Sequence, residues 1–575
     1  MLPKWFEEAR FGMFIHWGLY AALGGFWKGQ EMTYIGEWIQ ARFRIPNEEY
    51  AKLAETFDPV KFNADEWIRT AAEAGVKYIV YTSKHHDGFA MYHSKVSSYN
   101  IYDATPFKRD PLAELAEACR KYGVRLGIYY SQNLDWHEPD GGDPGPGYPA
   151  NGGMMSWGND WDFPDYDKKD FRRYFENKVK PQIRELLTNY GEVSVLWCDC
   201  PLDMKPEFSQ ELRAFVKELQ PNCIINQRIG NNCQDYGGLG DNQLPIDRRK
   251  DTRESPVTLN HTWGYKKNDH AWKTPQHIVR TLASLAARNA NLLLNVGPMP
   301  DGDWPEGTKN VFAGITPWIR EHADAIFGSG SNPFAVDMPF GCCTVSGKNL
   351  NLFVDQDVPE IVLNGILSKV VSATVPFTQD GEVLRLDTTG LSDPLLACVT
   401  VTFDEVPQVR QDLIPQNGVL HIRPRNGEAI HGEDAAESGN TTVSADGEKE
   451  GSKHSSFGRD GSLQFWDNPA DRIVWPVILP AGRYRILLET RNRATWDAHA
   501  EWFGDRKAAW QLGDLAGETE LVRESGEGGS GVSCLAECEL ASEFRGDFML
   551  RTAEVLSENA VHMDLIGVRF VKVAQ

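Results

Sequence analysis

The sequence contains no apolar run that approaches the roughly 20 residues needed to cross a lipid bilayer. It also lacks a basic stripe, and its formal net charge of -22 opposes that of a phosphate backbone. The opening residues lack the charged, apolar and small-residue sections of a signal peptide. We therefore expect no membrane span, no nucleic-acid partner, and a cytoplasmic protein, or a secreted or periplasmic one whose leader was removed.

Regular cysteine spacing is absent as well. The 10 cysteines are scattered, and Cys342–Cys343 fits neither a disulfide scaffold nor a zinc ribbon. Cys198 and Cys200 flank Asp199, but a single C-x-C without a second ligand pair is a weak metal signal. We expect mostly free thiols that serve packing.

The chain has 575 residues, whereas a single hydrophobic core stops growing at about 250–300, so two or three domains are expected. Up to residue 330, apolar β-branched runs alternate with amphipathic helical stretches, a pattern typical of βα units. The strand candidates are 11–17, 77–83, 124–131, 193–198, 223–227, 258–263 and 291–296. An open doubly wound sheet has the same alternation, but no G-x-G-x-x-G or P-loop is present. A (β/α) barrel over residues 1–330 is therefore predicted.

Helical periodicity disappears after this region. Short alternating runs predict a β-sandwich over residues 331–425, then a polar linker or loosely ordered start over 426–459. A second β-sandwich is predicted over 460–575, either a carbohydrate-binding module or a structural support. We expect it to expose aromatic side chains, among them Trp466, Trp475, Trp496, Trp502 and Trp510.

Reactive groups of an α/β barrel lie at the carboxyl ends of its strands. The polar or aromatic residues at those ends are His16, Trp17, Lys84, His85, His86, Asp87, Tyr129, Tyr130, Asp199 and Arg228. Asp199 follows the run VSVLWC directly, which places its carboxylate at the barrel mouth, although a helix cap or a salt-bridge partner has the same pattern. Retaining glycosidases need a second carboxyl within about 5–5.5 Å. The loop after Arg228 offers Asp235, Asp241, Asp247, Asp251 and Glu254, and spacing leaves the choice open.

Between residues 4 and 330, motif-like strings occur in the order WFEEARFGMFIHWGLY, EWI, YTSKHHDGFAMYHS, GIYYS, VLWCD and NLLLNVGPMPDG. Together they resemble the motifs of glycoside hydrolase family 29, the α-L-fucosidases. The resemblance implies a distorted (β/α)8-like TIM barrel that works without a metal or other cofactor. It also implies an exo-acting retaining hydrolase that removes terminal α-linked L-fucose from oligosaccharides or glycoconjugates through a covalent fucosyl-aspartate.

The resemblance also implies roles for individual residues. Asp199 matches the nucleophile, and DYGGLGDNQLP resembles the stretch in which an acidic residue four before a proline, here Asp241, is the acid/base. Glu254 is the alternative acid/base, although Arg253 replaces the tryptophan that precedes it in the family pattern. The residues that match sugar contacts are His16, Glu37, Trp38, His85, His86, Tyr130, Trp197 and Arg228. Tyr129 is left open as the tyrosine that faces inward in place of Tyr130. Cys200 stands where the family usually has glycine.

Two other functions fit parts of the pattern. His85, His86 and Asp87 at one strand end suggest a metal-dependent barrel hydrolase, although such sites usually include a His-x-His after the first strand. A degenerate carbohydrate-binding protein would keep Asp199 but lack a working acid/base.

Overall fold

The computed structural model describes residues 2–141, 158–202, 204–431, 455–492, 501–557 and 560–573. The chain forms two compact units. The first comprises Met1–Gln243, Lys250–Leu282 and Ala290–Ala323, and the second comprises Leu244–Arg249, Ala283–Asn289 and Asp324–Gln575. The limits predicted for individual domains stay predictions. No helix in the described ranges has both the length and the apolar character needed to cross a membrane.

The first unit is built on a parallel sheet of eight strands. In chain order these are β1 Phe11–Ile15, β2 Tyr78–Lys84, β3 Arg125–Ser131, β4 Val195–Asp199, β5 Ile224–Ile225, β6 Gly237–Gly238, β7 Arg253–Thr258 and β8 Ala290–Val296. Their spatial order is β5-β4-β3-β2-β1-β8-β7-β6. Within the described part of the chain, one parallel bridge, between Asn226 and Tyr236, joins the two edges. The predicted (β/α)8-like barrel is confirmed.

Helices alternate with these strands along the chain. The α-helices are Lys4–Ala9, Tyr20–Leu23, Ile39–Phe43, Asn47–Ala51, Ala64–Glu73, Pro111–Tyr122, Phe171–Tyr174, Lys180–Thr188, Pro206–Leu219, Pro275–Ala287, Glu306–Glu321 and Ala323–Ile326. A π-helical segment, Phe175–Val179, and 3-10 turns at Gly36–Trp38, Lys52–Thr56, Tyr166–Lys168 and Gln227–Ile229 complete the set, with a small hairpin of Phe26–Trp27 and Gln30–Glu31. Local chemistry sets their ends: the Asp110 carboxylate accepts N–H bonds from Leu112 and Ala113, and Gly123 takes φ 69° at the end of that helix.

Aromatic side chains fill much of the barrel interior, because every second residue of a strand points inward. The interior cluster includes Phe14, Tyr78, Tyr129, Val195, Trp197, Tyr236, Trp263 and Leu293. Val195 and Trp197 face inward on β4, so Asp199, two residues further, shares their face. The strand therefore carries its terminal carboxylate to the mouth end of a packed interior.

One strand prediction is wrong. The pattern predicts a strand at 258–263, whereas β7 ends at Thr258. Arg253, Glu254 and Pro256 interrupt the apolar pattern of β7. Proline is tolerated there because β6 pairs only with Arg253 and Glu254, which leaves one edge of β7 without a ladder partner at Pro256. β6 was not predicted because it consists of two glycines.

The described residues of the second unit form four antiparallel sheets. Four strands, Gly341–Ser346, Asn349–Val354, Ala397–Phe403 and Val370–Ala373, form one sheet, and Glu360–Asn364, Val383–Asp387 and Phe377–Asp380 form another. A third contains Ser456–Phe457, Leu463–Gln464, Met563–Lys572, Gly482–Asn492 and Ser530–Leu540, with Val419–Ile422 beside Met563–Lys572. The fourth contains Glu428–Ile430, Arg472–Leu479, Phe544–Val555, Arg506–Leu512 and Leu515–Glu520, and a 3-10 turn lies at Pro424–Asn426. Two separate cores confirm that all-β sandwiches follow the barrel.

The predicted linker is structured where it is described. Glu428–Ile430 pairs with Arg472–Leu479, and Ser456–Phe457 pairs with Leu463–Gln464. Residues 432–454 lie outside the described ranges.

The expectation of exposed tryptophans in the last sandwich is wrong for three positions. Trp466, Trp475 and Trp510 are buried in its core, because their large apolar rings fill the space between the sheets. Trp502 is partly buried and packs against the same core. Trp496 lies outside the described residues.

Candidate active site

Asp199 ends β4 and is held by several donors. The Tyr129 hydroxyl donates to Oδ2 at 2.8 Å. The Arg228 guanidinium and the Cys200 N–H each donate to Oδ1 at 2.8 Å. Burial raises the pKa of Asp199, but the charge and hydrogen bond of Arg228 and the Tyr129 hydrogen bond outweigh it, so the pKa lies below its ordinary value. Asp199 is therefore an oriented, ionised carboxylate.

Gln132 fixes the backbone behind this carboxylate. Its Oε1 accepts the Asp199 N–H at 2.8 Å, and its Nε2 donates to the Arg228 carbonyl at 2.8 Å. One side chain thus links the ends of β4 and β5. Gln132 is not among the predicted site residues, although it directly follows β3 as the other site residues follow their strands.

Arg228, in the 3-10 turn after β5, connects two carboxylates. Its Nη1 donates to Asp199 and its Nη2 to Asp241. The guanidinium lies over the Trp197 ring, 4.8 Å from the ring centroid. The Asp241 side chain is 49% exposed, whereas that of Asp199 is 10% exposed. The structure therefore brings together a shielded and a solvent-accessible carboxyl group beside one cation.

Glu254 lies elsewhere. It is the second residue of β7, at the amino end of the barrel, and is buried. Its carboxylate accepts hydrogen bonds from Tyr78 at 2.6 Å, Trp197 at 2.7 Å and Tyr236 at 3.2 Å. Burial raises the pKa of Glu254 despite these donors. The geometry therefore favours Asp241 over Glu254 as the partner of Asp199.

The other acidic candidates are engaged in ion pairs. Asp235 pairs with Arg213 and Lys217, Asp247 with Arg425, and Asp251 with Arg253.

Three histidines gather beside Asp199. The His86 and His85 ring centroids are 4.1 Å apart, and those of His85 and His16 are 5.8 Å apart. His86 Nε2 is 3.6 Å from Asp199 Oδ2. Burial lowers the pKa of all three, that of His16 to about 4, so the rings are neutral at neutral pH. Among the described residues, His85 Nδ1 has no hydrogen-bond partner.

Hydrogen bonds determine which nitrogen carries the proton in two of these rings. Ser131 donates its hydroxyl hydrogen to the Leu134 carbonyl at 2.7 Å, so its oxygen accepts from His86 Nδ1–H at 2.7 Å. Asn295 Nδ2 donates to the Trp263 carbonyl, so its Oδ1 accepts from His16 Nδ1–H at 2.6 Å. Each Nε2 therefore presents a lone pair that can accept a hydrogen bond from a hydroxyl group.

Glu37 and Trp38 form the adjoining wall. Trp38 meets His86 edge-on, with ring centroids 5.0 Å apart. Glu37 accepts the Gly264 N–H at 2.8 Å, and burial raises its pKa to about 7. Trp263 contacts His16, with ring centroids 5.3 Å apart. Its role in this wall was hidden by the incorrect assignment of 258–263 as a strand.

Tyr130 is not part of this group. Its hydroxyl donates to Gln182 at 2.8 Å, and its ring lies 4.7 Å from the Lys84 ammonium. Because neighbouring residues of a strand point to opposite faces, Tyr129 enters the barrel and Tyr130 leaves it. The structure therefore places Tyr129, and not Tyr130, beside Asp199, and the sugar contact expected of Tyr130 stays a prediction.

Among the described residues, His85, His86 and Asp87 do not form a group that could hold a metal ion. Asp87 accepts hydrogen bonds from the Tyr50 hydroxyl at 3.0 Å and the Phe89 N–H at 3.2 Å, so its oxygens serve this loop. Another trio, His86, Asp199 and Cys200, does bring its ligand atoms within 4.8 Å of one another.

Comparisons with known proteins agree with these features. A family model described as Alpha-L-fucosidase matches residues 1–324. The putative alpha-L-fucosidase of Caenorhabditis elegans is 30% identical over 349 residues, which cover 57% of this chain and 67% of that protein. The plasma alpha-L-fucosidase of Homo sapiens is 27% identical over 349 residues, which cover 57% of this chain and 69% of that protein.

Solved structures give the same result. Alpha-L-fucosidase AlfC from Lactobacillus casei, in complex with alpha-L-fucose product, is 45% identical with a TM-score of 0.52 and covers 56% of this chain and 99% of its own. An alpha-L-fucosidase from Vibrio sp. has a TM-score of 0.81 and covers 99% of this chain and 97% of its own. At 24% identity it supports the fold alone.

Proposed function

Because this chain belongs to the α-L-fucosidase family and is a glycoside hydrolase, we propose that it removes terminal α-linked L-fucose by double displacement with retention. The observation that carries this mechanism is the single Arg228 guanidinium between Asp199 and Asp241. Two carboxyl groups that bind one guanidinium lie close together, as the retaining mechanism requires with its separation of about 5–5.5 Å. The substrates are fucosylated oligosaccharides or glycoconjugates.

Asp199 is the nucleophile in this proposal. Among the described residues, Oδ1 accepts two hydrogen bonds and Oδ2 accepts one, which leaves Oδ2 as the freer oxygen. Oδ2 attacks the anomeric carbon as the bond to the leaving oxygen breaks, and a fucosyl ester forms. The low pKa keeps Asp199 ionised and ready for this step.

Asp241 is the acid/base. It gives its proton to the leaving oxygen in the first step and takes a proton from water in the second, when that water displaces Asp199. Its exposure suits both steps, because the leaving group and the incoming water pass through solvent. Arg228 holds the Asp199 and Asp241 side chains beside each other and stabilises the Asp241 carboxylate that forms once the proton has left.

The wall around Asp199 binds the sugar. The neutral His16 and His86 rings accept hydrogen bonds from fucose hydroxyls through Nε2, and His85 contributes its unpartnered Nδ1. Trp38 and Trp263 supply apolar ring faces for the methyl group and ring carbons of fucose.

The experiment is to follow 4-nitrophenyl α-L-fucoside hydrolysis by proton NMR and to trap the intermediate with a 2-fluoro-fucosyl fluoride. The first sugar released is the α-anomer, and mass spectrometry locates the label on Asp199. Asp251→Asn, a change in the same loop as Asp241, serves as the matched control and stays active. Initial release of the β-anomer, or a label on another carboxylate, contradicts the mechanism.

A further inference from the structure

Three different ligand atoms meet at the carboxyl end of β4. His86 Nε2 lies 3.6 Å from Asp199 Oδ2 and 3.7 Å from Cys200 Sγ. At the usual zinc bond lengths of about 2.0–2.3 Å, two ligands of a tetrahedral site lie about 3.4–3.6 Å apart. Two of the three separations are therefore close to those that one bound ion imposes, and the ligand atoms of His86, Asp199 and Cys200 all lie within 4.8 Å of one another.

The orientation of His86 is fixed for coordination. Its Nδ1–H is held by Ser131, whose own hydrogen goes to the Leu134 carbonyl. The lone pair on Nε2 consequently points toward Asp199 and Cys200. A hydrogen bond to the far nitrogen is also the feature that orients metal-bound histidines in proteins.

One oxygen of Asp199 is open to an ion. Arg228 contacts Oδ1, whereas Oδ2 accepts a hydrogen bond from the Tyr129 hydroxyl and keeps a second lone pair. Oδ2 is also the oxygen that lies nearest to His86 Nε2.

We propose that His86, Asp199 and Cys200 form an inhibitory site for one soft divalent cation, Zn²⁺ or Cd²⁺, which competes with fucose. The thiol releases its proton to solvent as sulfur binds, imidazole nitrogen and carboxylate oxygen complete three ligands, and water takes the fourth position. Sulfur and imidazole ligands select Zn²⁺ and Cd²⁺ over Mg²⁺ and Ca²⁺. Binding does not depend on the proposed function, but inhibition does, because the ion occupies the oxygen that attacks the sugar.

Direct binding tests the site. We titrate the metal-stripped full chain with Cd²⁺ and record the ultraviolet charge-transfer absorption of Cd²⁺–thiolate bonds. One equivalent of Cd²⁺ produces the band in the wild type, and Cys200→Ala weakens the tightest binding at least tenfold. Cys534→Ala, at another partly exposed thiol, leaves the titration unchanged.

A second variant guards against misfolding. Cys200 has φ 46°, a left-handed conformation that glycine adopts without strain, so Cys200→Gly keeps the fold and also loses the band. An unchanged titration in a folded Cys200→Gly or Cys200→Ala protein overturns the proposal.

Competition separates this proposal from the proposed function. Fucose lowers the apparent Cd²⁺ affinity, and Zn²⁺ raises the KM of the fucoside without lowering kcat, whereas Mg²⁺ does neither. If Cd²⁺ binds through Cys200 but the chain releases no fucose, the hydrolase mechanism fails and the metal site stands. Fucose release without Cys200-dependent binding overturns the metal site alone.

Discussion

The Tyr129 hydroxyl donates a hydrogen bond of 2.8 Å to Oδ2 of Asp199. Burial raises the pKa of Tyr129 well above its ordinary value, so the phenol keeps its proton and acts only as a donor. The bond lowers the pKa of Asp199 and aims its carboxylate into the barrel mouth.

Replacing this donor tests its contribution. Hydrogen bonds to charged groups contribute about 1.5–3 kcal/mol, so Tyr129→Phe lowers kcat/KM roughly 10- to 150-fold. The variant also shifts the acidic limb of the pH–rate profile to higher pH, because the pKa of Asp199 rises when its carboxylate loses a hydrogen-bond donor. Tyr130→Phe is the matched control: it costs about 1 kcal/mol of stability through Gln182 and leaves the profile in place. Equal effects of the two changes contradict the inward assignment of Tyr129.

Removing the nucleophile tests the covalent path. Asp199→Gly lowers turnover of an aryl fucoside by several orders of magnitude, because no carboxylate remains to form the ester. Sodium azide restores part of the rate and yields a fucosyl azide of inverted configuration, which NMR identifies. A variant that keeps more than a few per cent of wild-type activity shows that Asp199 is not the nucleophile.

The acid/base assignment predicts a dependence on the leaving group. Asp241→Ala slows a fucosyl disaccharide far more than the 4-nitrophenyl fucoside, because only the sugar leaving group needs a proton. Glu254→Gln destabilises the protein through its three buried donors but affects both substrates alike. The two assignments must be exchanged if Glu254→Gln, and not Asp241→Ala, discriminates between the substrates.

Glu37 makes stability depend on pH. Its pKa is about 7 in the folded chain, against 4.5 for the free side chain, so between these values the folded chain holds a proton that the unfolded chain has released. The contribution of Glu37 to the free energy of unfolding is fully present below about pH 4.5. It falls by roughly 3 kcal/mol as the pH rises to about 7. Urea unfolding of wild type and Glu37→Gln across this range isolates the contribution. A difference between them that is constant with pH rules out a raised pKa for Glu37.

The sequence was most informative where a strand is continuous and apolar. VSVLW predicts that Asp199 emerges at a barrel mouth, and the structure places it there. The choice between Tyr129 and Tyr130 needed the register of β3 against β4, which pairs Tyr129 with Trp197 and is not encoded within GIYYS itself. The sequence predicted β7 at the wrong residues, because a glutamate such as Glu254 is typical of a loop. Its burial in the strand depends on three hydrogen-bond donors, two of them distant in the sequence.

The bridge between Asn226 and Tyr236 affects local motion. Among the described residues it is the one ladder contact across the seam between β5 and β6, each of two residues, whereas Gly12–Ile15 of β1 are paired on both sides. Amides at the seam therefore exchange with deuterium through local opening at a lower free energy than those of β1. Arg228 and Asp241 follow the two strands of the seam, and their ion pair crosses it. A seam that opens more easily than β1 therefore carries Arg228 and the acid/base that we propose, so local opening there changes the distance between Asp241 and Asp199.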